Sequence, residues 1–180
     1  MVTKKKKVKM RGYTQVYTGD GKGKTTAALG LALRAAGAGL KVYFAQFVKG
    51  MDYSELKALK KLSEFIVVKQ YGRDCFIYRK PKEEDKKLAQ EGLKEVREII
   101  SSGQYQVVIL DEANIATYFG LFSPDDLLDL IRQKPDEIEI IITGRNADPK
   151  IIAAADLVTE MKEIKHYYQK GIQAREGIEK

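Results

Sequence analysis

The chain has 180 residues, 44% of them apolar, and a formal net charge of +7. This is the length of one domain with material for a substantial core, and its single cysteine excludes an intrachain disulfide, which favours a reducing, cytoplasmic setting. No apolar run approaches the roughly 18 residues of a membrane span, and the charged start MVTKKKKVKMRG lacks the apolar centre of a signal peptide, so no membrane partner is expected.

The positive charge is local. Lys4, Lys5, Lys6, Lys7, Lys9 and Arg11 supply six of the seven net charges, and no acid lies among residues 1–11. A basic tail (1–11) therefore precedes a nearly neutral single domain (12–180), and nucleic acid is not an expected partner.

Within that domain TQVYT (14–18) predicts a first strand, and Lys24–Ala36 a helix stopped by Gly37 and Gly39. KVYFAQF (41–47) predicts a second strand and EFIVV (64–68) a third, with a short helix over SELKALKKL between them. Residues 82–100 carry Leu88, Leu93, Val96 and Ile100 at helical spacing. QVVIL (106–110) is an apolar run ending in Asp111-Glu112, and SPDDLLDLI opens a helix with Ser123 as N-cap and Pro124 in its first turn. EIEIIIT (137–143) and DLVTEM (156–161) complete the strands. Nearly continuous Val/Ile runs flanked by helices predict an α/β fold whose parallel sheet is covered on both faces. Ligands in such sheets sit beyond the carboxyl ends of the strands. Residues 18–26, Asp111-Glu112 and Thr143-Gly144-Arg145 all fall at that edge.

The first of these clusters resembles a phosphate-binding loop, G-x-x-x-x-G-K-[ST], with one residue missing. Counting back from Gly23-Lys24-Thr25, the leading glycine position holds Thr18, and the glycine comes one residue later, at Gly19. Gly19, Gly21 and Gly23 let backbone N–H groups approach a phosphate closely, and the following helix offers its positive end. In that reading Gly19, Asp20, Gly21, Lys22, Gly23, Lys24, Thr25 and Thr26 bind the nucleotide. Lys24 neutralises phosphate oxygens and the Thr25 hydroxyl reaches Mg²⁺. The blander alternative is a flexible basic turn; the order strand, loop, Gly-Lys-Thr, helix speaks against it. Asp111 supplies a second metal-site carboxylate. In an ATP hydrolase Glu112 would polarise water, but the shortened loop has one peptide fewer to wrap a triphosphate in the ordinary way.

Taken together, the segments are more specific than the loop. RGYTQVYTGDGKGKTTAALGLALRAAGAG, AQFVKG (45–50), VVILDE (107–112), IIITGR (140–145), ADLVTEM (155–161) and KHYYQKGIQAREGIE (165–179) follow in one order over nearly the whole chain. In these the sequence resembles the P-loop type of ATP:corrinoid adenosyltransferase. The resemblance implies a RecA-like P-loop fold with a mostly parallel central sheet of about six strands and helices on both faces. It implies ATP as co-substrate, bound in reverse with its γ-phosphate deep in the loop and its 5′-carbon presented to the corrinoid. It also implies Thr25 and Glu112 on Mg²⁺ (or Mn²⁺), Asp111 in support, Lys24 and Glu112 as catalytic residues, and Arg145 near the nucleotide. An electron donor such as a flavoprotein and a homodimeric state follow from the same likeness. The family's Phe-x-Trp pair, which packs beneath the corrinoid, aligns with Phe76 and Tyr78 in CFIYRK (75–80), although this chain has no tryptophan. For these two the alternative is an ordinary core-aromatic role. His166, the only histidine, is expected to be a structural hydrogen-bonding residue.

The competing readings are a RecA-like ATPase, a P-loop nucleoside kinase and a non-enzymatic nucleic-acid module. A single cysteine disfavours the zinc-binding form of the kinase fold, and the neutral body disfavours the last.

Overall fold

Val, Ile and Phe occupy both alternating faces of the predicted strands, so the sheet needs cover on both sides. The computed structural model, which describes residues 11–73 and 80–179, has this arrangement. The strands are β1 (Thr14–Thr18), β2 (Val42–Phe47), β3 (Ile66–Tyr71), β4 (Val107–Asp111), β5 (Glu139–Thr143) and β6 (Leu157–Glu160). They form one sheet in the order β3-β2-β4-β5-β1-β6, and every pairing is parallel. The helices that provide the crossovers parallel strands require are α1 (Lys24–Gly37), α2 (Ser54–Leu59), α3 (Glu83–Ser102), α4 (Ala113–Tyr118), α5 (Pro124–Gln133) and α6 (Pro149–Ala154). No helix among the described residues is long and apolar enough to cross a membrane.

The period of two in each strand divides the core in half. Val42, Phe44, Val107, Ile109 and Ile141 pack against the alanines of α1. Those alanines, 28, 32, 35 and 36, fall on one helical face and are buried, and their small side chains let the helix lie close to the sheet. Tyr43, Ala45, Phe47, Val108, Leu110, Ile140 and Ile142 point the other way, into a cluster with Leu93, Val96 and Ile100 of α3, Leu127 of α5 and Ile151 of α6. The Ser123 cap of α5 is present as a reciprocal pair: Ser123 Oγ accepts from the Asp126 N–H at 3.2 Å, and the Asp126 carboxylate accepts from the Ser123 N–H at 2.8 Å.

Four elements depart from the sequence expectation. The third strand, expected over 64–68, runs from Ile66 to Tyr71. Its later part is polar, and it is kept in the sheet by pairing with β2 as far as Phe47–Tyr71, while Lys69 pairs with Glu95 and Gln70 donates to Gln46. Helices α4 and α6, six residues each, are too short to show a helical period. The short predicted helix ends as a 3₁₀ turn over Lys60–Leu62.

Topology places the site. From β1 the chain crosses to β2 on one side, whereas from β5 it crosses over β1 to β6 on the other. The connections diverge at the β1–β5 boundary, where open parallel sheets form their ligand crevice.

Candidate active site

Five residues, Gly19–Gly23, join β1 to α1. Gly19 has φ +93°, a left-handed value that favours glycine. Close approach also constrains the loop: a Cβ on Gly19 would lie 2.5 Å from the Met161 carbonyl oxygen, and one on Gly21 2.7 Å from it. The reason is that the end of β6 is bonded to the loop, with the Gly21 N–H donating to Met161 O at 2.6 Å. The buried Lys24 side chain turns into its own loop, and Nζ donates to the carbonyls of Gly19 at 2.6 Å and Gly21 at 2.7 Å. Burial lowers the pKa of Lys24, and Glu112 is the main charge opposing that effect.

At the second residue of α1, the Thr25 hydroxyl donates to Asp111 Oδ1 at 2.9 Å. Asp111 closes β4 and is wholly buried. Besides Thr25 it accepts from the Thr143 hydroxyl of β5 at 2.7 Å, from Lys49 Nζ at 2.7 Å and, at the weak limit of 3.5 Å, from Gln46. The ends of four elements thus converge on one carboxylate. Thr143 Oγ1 also accepts from the Glu112 N–H at 3.0 Å, which fixes the residue after the strand.

Glu112 has φ +60° and caps α4. That left-handed turn, unusual for a non-glycine residue, sets its side chain beside Gly144, where a Cβ would come within 3.2 Å of Glu112 Oε2. The amide of Asn114 holds the Gly144 carbonyl at 3.2 Å and so steadies the turn leading to Arg145. Burial, and after it the charge of Asp111, raise the pKa of Glu112; Lys49, Lys24 and Arg145 pull the other way. A cation placed here has a carboxylate ready to be stabilised.

These groups open onto a cleft of about 1010 Å³, large enough for a nucleotide. Lys22, Lys24, Thr25, Thr26, Glu112 and Arg145 all line it. Asp20 is exposed at the loop's tip. Lys22 points toward the C-terminal segment, donating to the Ile178 carbonyl at 2.7 Å and lying 3.8 Å from Glu179. His166 has the structural bond expected of it, its Nδ1 accepting from the Tyr168 N–H at 3.0 Å, and it too borders the cleft. Phe76 and Tyr78 lie in 74–79, and the basic tail up to residue 10 likewise, outside the described residues.

Four contributors to the site carry no sequence signal of their role. Lys49 and Gln46 stand within AQFVKG, but nothing in a strand-end lysine or glutamine announces a partnership with Asp111. The position of Thr143 at the sheet edge follows from the sequence, but its bond to Asp111 does not. The C-terminal segment, whose Ala174, Gly177 and Ile178 form one wall of the cleft, carries no strand or long helix to signal its place.

Among the described residues no three His, Cys, Asp or Glu side chains gather as a metal cluster. The donor set of Thr25 hydroxyl, Asp111 and Glu112 instead suits Mg²⁺, a hard cation that takes one or two carboxylates and completes its shell with phosphate and water. The position attracts a cation in this structure, because the Lys49 ammonium lies between Asp111 Oδ2 and the Thr25 hydroxyl, 2.7 and 3.2 Å away.

A glycine-rich loop closed on its own lysine, with a hydroxyl and two carboxylates opposite it, defines a P-loop protein on a RecA-like sheet. The flagellar accessory protein FlaH from Methanocaldococcus jannaschii shares this fold, with a TM-score of 0.59 over 84% of this chain and 71% of that one at 16% identity. More specifically, residues 10–179 match the family described as ATP:corrinoid adenosyltransferase BtuR/CobO/CobP. The corrinoid adenosyltransferase of Pseudomonas aeruginosa is 34% identical over 170 residues, 94% of this chain and 84% of that protein. That of Escherichia coli K12 is 32% identical, over 94% and 86%. The chain belongs to the ATP:corrinoid adenosyltransferase family.

Proposed function

We propose that this protein transfers the 5′-deoxyadenosyl group of ATP to the Co(I) centre of a corrinoid and releases triphosphate, in the making or salvage of an adenosylated corrinoid. The observation that carries the reading is the family match over residues 10–179 on a chain whose shortened loop and Glu112 line one cleft, with Asp111 buried behind Thr25. In the reaction the Co(I) electron pair forms the bond to the 5′-carbon. The bond from that carbon to the α-phosphate oxygen breaks, and its electrons leave with the triphosphate. Cobalt is the nucleophile, so the chain has to supply position and charge, not a general base. Lys24 and the loop amides hold the triphosphate as its charge grows, and Arg145 stands at the same cleft. Thr25 and Glu112 would hold Mg²⁺ or Mn²⁺, with Asp111 orienting Thr25; when bound, the metal neutralises charge on the leaving group. ATP lies reversed relative to ordinary P-loop enzymes, as the family resemblance implies. The family resemblance assigns Phe76 and Tyr78 to the lower face of the corrinoid. A cytoplasmic homodimer served by an external reductant completes the reading.

The test is a reaction with ATP, Mg²⁺ and chemically reduced cobalamin, followed by phosphorus NMR. Triphosphate appearing one for one with adenosylcobalamin is expected. Steady release of ADP without corrinoid would hand the site to the ATPase reading, and a phosphorylated nucleoside to the kinase.

A further inference from the structure

Lys49 follows β2 at the edge of the cleft, after a residue in strained backbone. Val48 has φ +59°, a region that costs a β-branched side chain dearly. The Lys49 side chain is only 15% exposed, and its ammonium lies 2.7 Å from the fully buried Asp111 carboxylate and 3.2 Å from the Thr25 hydroxyl. The other donors to Asp111, namely Thr25, Thr143 and Gln46, are neutral. A buried carboxylate without a counter-charge is strongly unfavourable, and among the groups that bond Asp111 it is Lys49 that supplies the positive charge.

The same two oxygens are those a divalent cation would use or neighbour. An ammonium and a divalent cation sharing them would repel each other at close range. Lys49 has a second partner within reach, since its Nζ lies 5.5 Å from the centre of the Tyr53 ring, and both residues line the cleft. We propose that Lys49 is an internal counter-ion that occupies the divalent-cation position and yields it only when metal arrives with nucleotide, its ammonium moving toward Tyr53 and the triphosphate. Lys49 is then a positioning residue acting through Asp111 and Thr25. It makes the site selective for metal–nucleotide over free metal, because the triphosphate supplies both the missing metal ligands and a new partner for the displaced ammonium.

The inference rests on the metal assignment proposed above, and Mn²⁺ as probe separates the two. Free Mn²⁺ is followed by its EPR signal during titration of the full chain without nucleotide. Wild type and Lys49→Arg are expected to bind Mn²⁺ weakly, and Lys49→Met about ten-fold more tightly, within the usual range of coupling between competing ligands. Equal or weaker binding by Lys49→Met overturns the inference. With ATP present, Glu112→Gln must lose Mn²⁺ affinity; if it does not, the metal assignment itself fails, whatever Lys49 does. Should Lys49→Met not fold, the wild type still decides by its ¹⁵N-lysine spectrum. The protected Lys49 ammonium signal should shift or vanish with Mg²⁺ and ATP but persist with Mg²⁺ alone, and a signal unmoved by Mg²⁺ and ATP overturns the proposal.

Discussion

The Thr25 hydroxyl donates to the Asp111 carboxylate at 2.9 Å across 86 positions of chain. Thr25 lies at the start of α1, just after β1, and Asp111 ends β4; in the sheet β5 lies between β1 and β4. Thr143 of β5 completes the bridge by bonding the same Asp111 oxygen. The phosphate loop is therefore tied to the Asp111-Glu112 pair through side chains at the strand ends. This sets the distance between whatever the loop grips and the acid that follows β4.

Removing that tie should disable transfer without unfolding the protein. Thr25→Ala is expected to lower kcat/KM by about two orders of magnitude, the scale of losing one group that stabilises developing charge. Thr25→Ser keeps the hydroxyl and should restore most of the rate. Initial rates with reduced cobalamin decide: if serine is no better than alanine, the hydroxyl is not what matters.

Which parts of this were legible beforehand follows from what local sequence can encode. β1 has the bounds its residues suggest and α1 runs one residue further, to Gly37, because an apolar run, a glycine loop and an alanine-rich face are all local signals. β3 runs later than its apolar run suggests, because Lys69 and Gln70 look like loop residues until Glu95 and Gln46, each more than twenty positions away, provide partners. The loop and the acidic pair were visible as motifs. Lys49 was not, since its role depends on a strained turn at Val48 and on the approach of β2 to Asp111, and neither leaves a mark on neighbouring residues.

The fit between the loop and the end of β6 gives a contrast of two glycines. A Cβ on Gly21 would meet the Met161 carbonyl oxygen at 2.7 Å and the Lys162 carbonyl carbon at 2.9 Å, both backbone atoms. Gly21→Ala should cost about 1–3 kcal/mol, as overpacking does, and weaken ATP binding by shifting the loop amides. A Cβ on Gly30, in exposed helix, meets nothing within 4 Å, so Gly30→Ala should stabilise by about 0.5–1 kcal/mol. Thermal melts and ATP titrations of both variants check the pair; equal stabilities would mean that β6 does not press on the loop.

Deleting residues 1–9 should leave ATP affinity unchanged, because the loop, the metal donors and the strand ends all lie within residues 18–145 of the chain. A loss confined to corrinoid turnover would fit a tail that covers the corrinoid site. A large fall in ATP affinity by calorimetry contradicts the expectation.

Phe76 is proposed to act on the corrinoid by easing reduction of its cobalt. Phe76→Ala should then slow adenosylation starting from Co(II) far more than from pre-reduced Co(I). Equal slowing from both, or a large drop in melting temperature, would assign Phe76 to the core instead.

Glu112 should oppose folding and favour metal binding, both through one proton. Burial and the charge of Asp111 raise its pKa above the ordinary 4.5. As pH rises past that ordinary value, the unfolded chain gives up the Glu112 proton first, so over the window up to the folded-state pKa the folded chain binds more protons. Stability must therefore fall with rising pH through that window and remain lower above it. Glu112→Gln is neutral throughout and should be the more stable protein near pH 8, with the gap closing toward acid. Each kcal/mol recovered should raise the melting temperature by about 2–4 °C in a domain of this size. Metal–nucleotide binding has the opposite slope, since only the deprotonated carboxylate serves as ligand: Mn²⁺ affinity in the presence of ATP should increase with pH for the wild type and stay flat and weak for Glu112→Gln. Denaturant unfolding at several pH values measures the first trend and EPR titration the second. If Glu112→Gln is less stable than the wild type near pH 8, the ionised side chain is a net stabiliser, and the strain ascribed to its burial is not there.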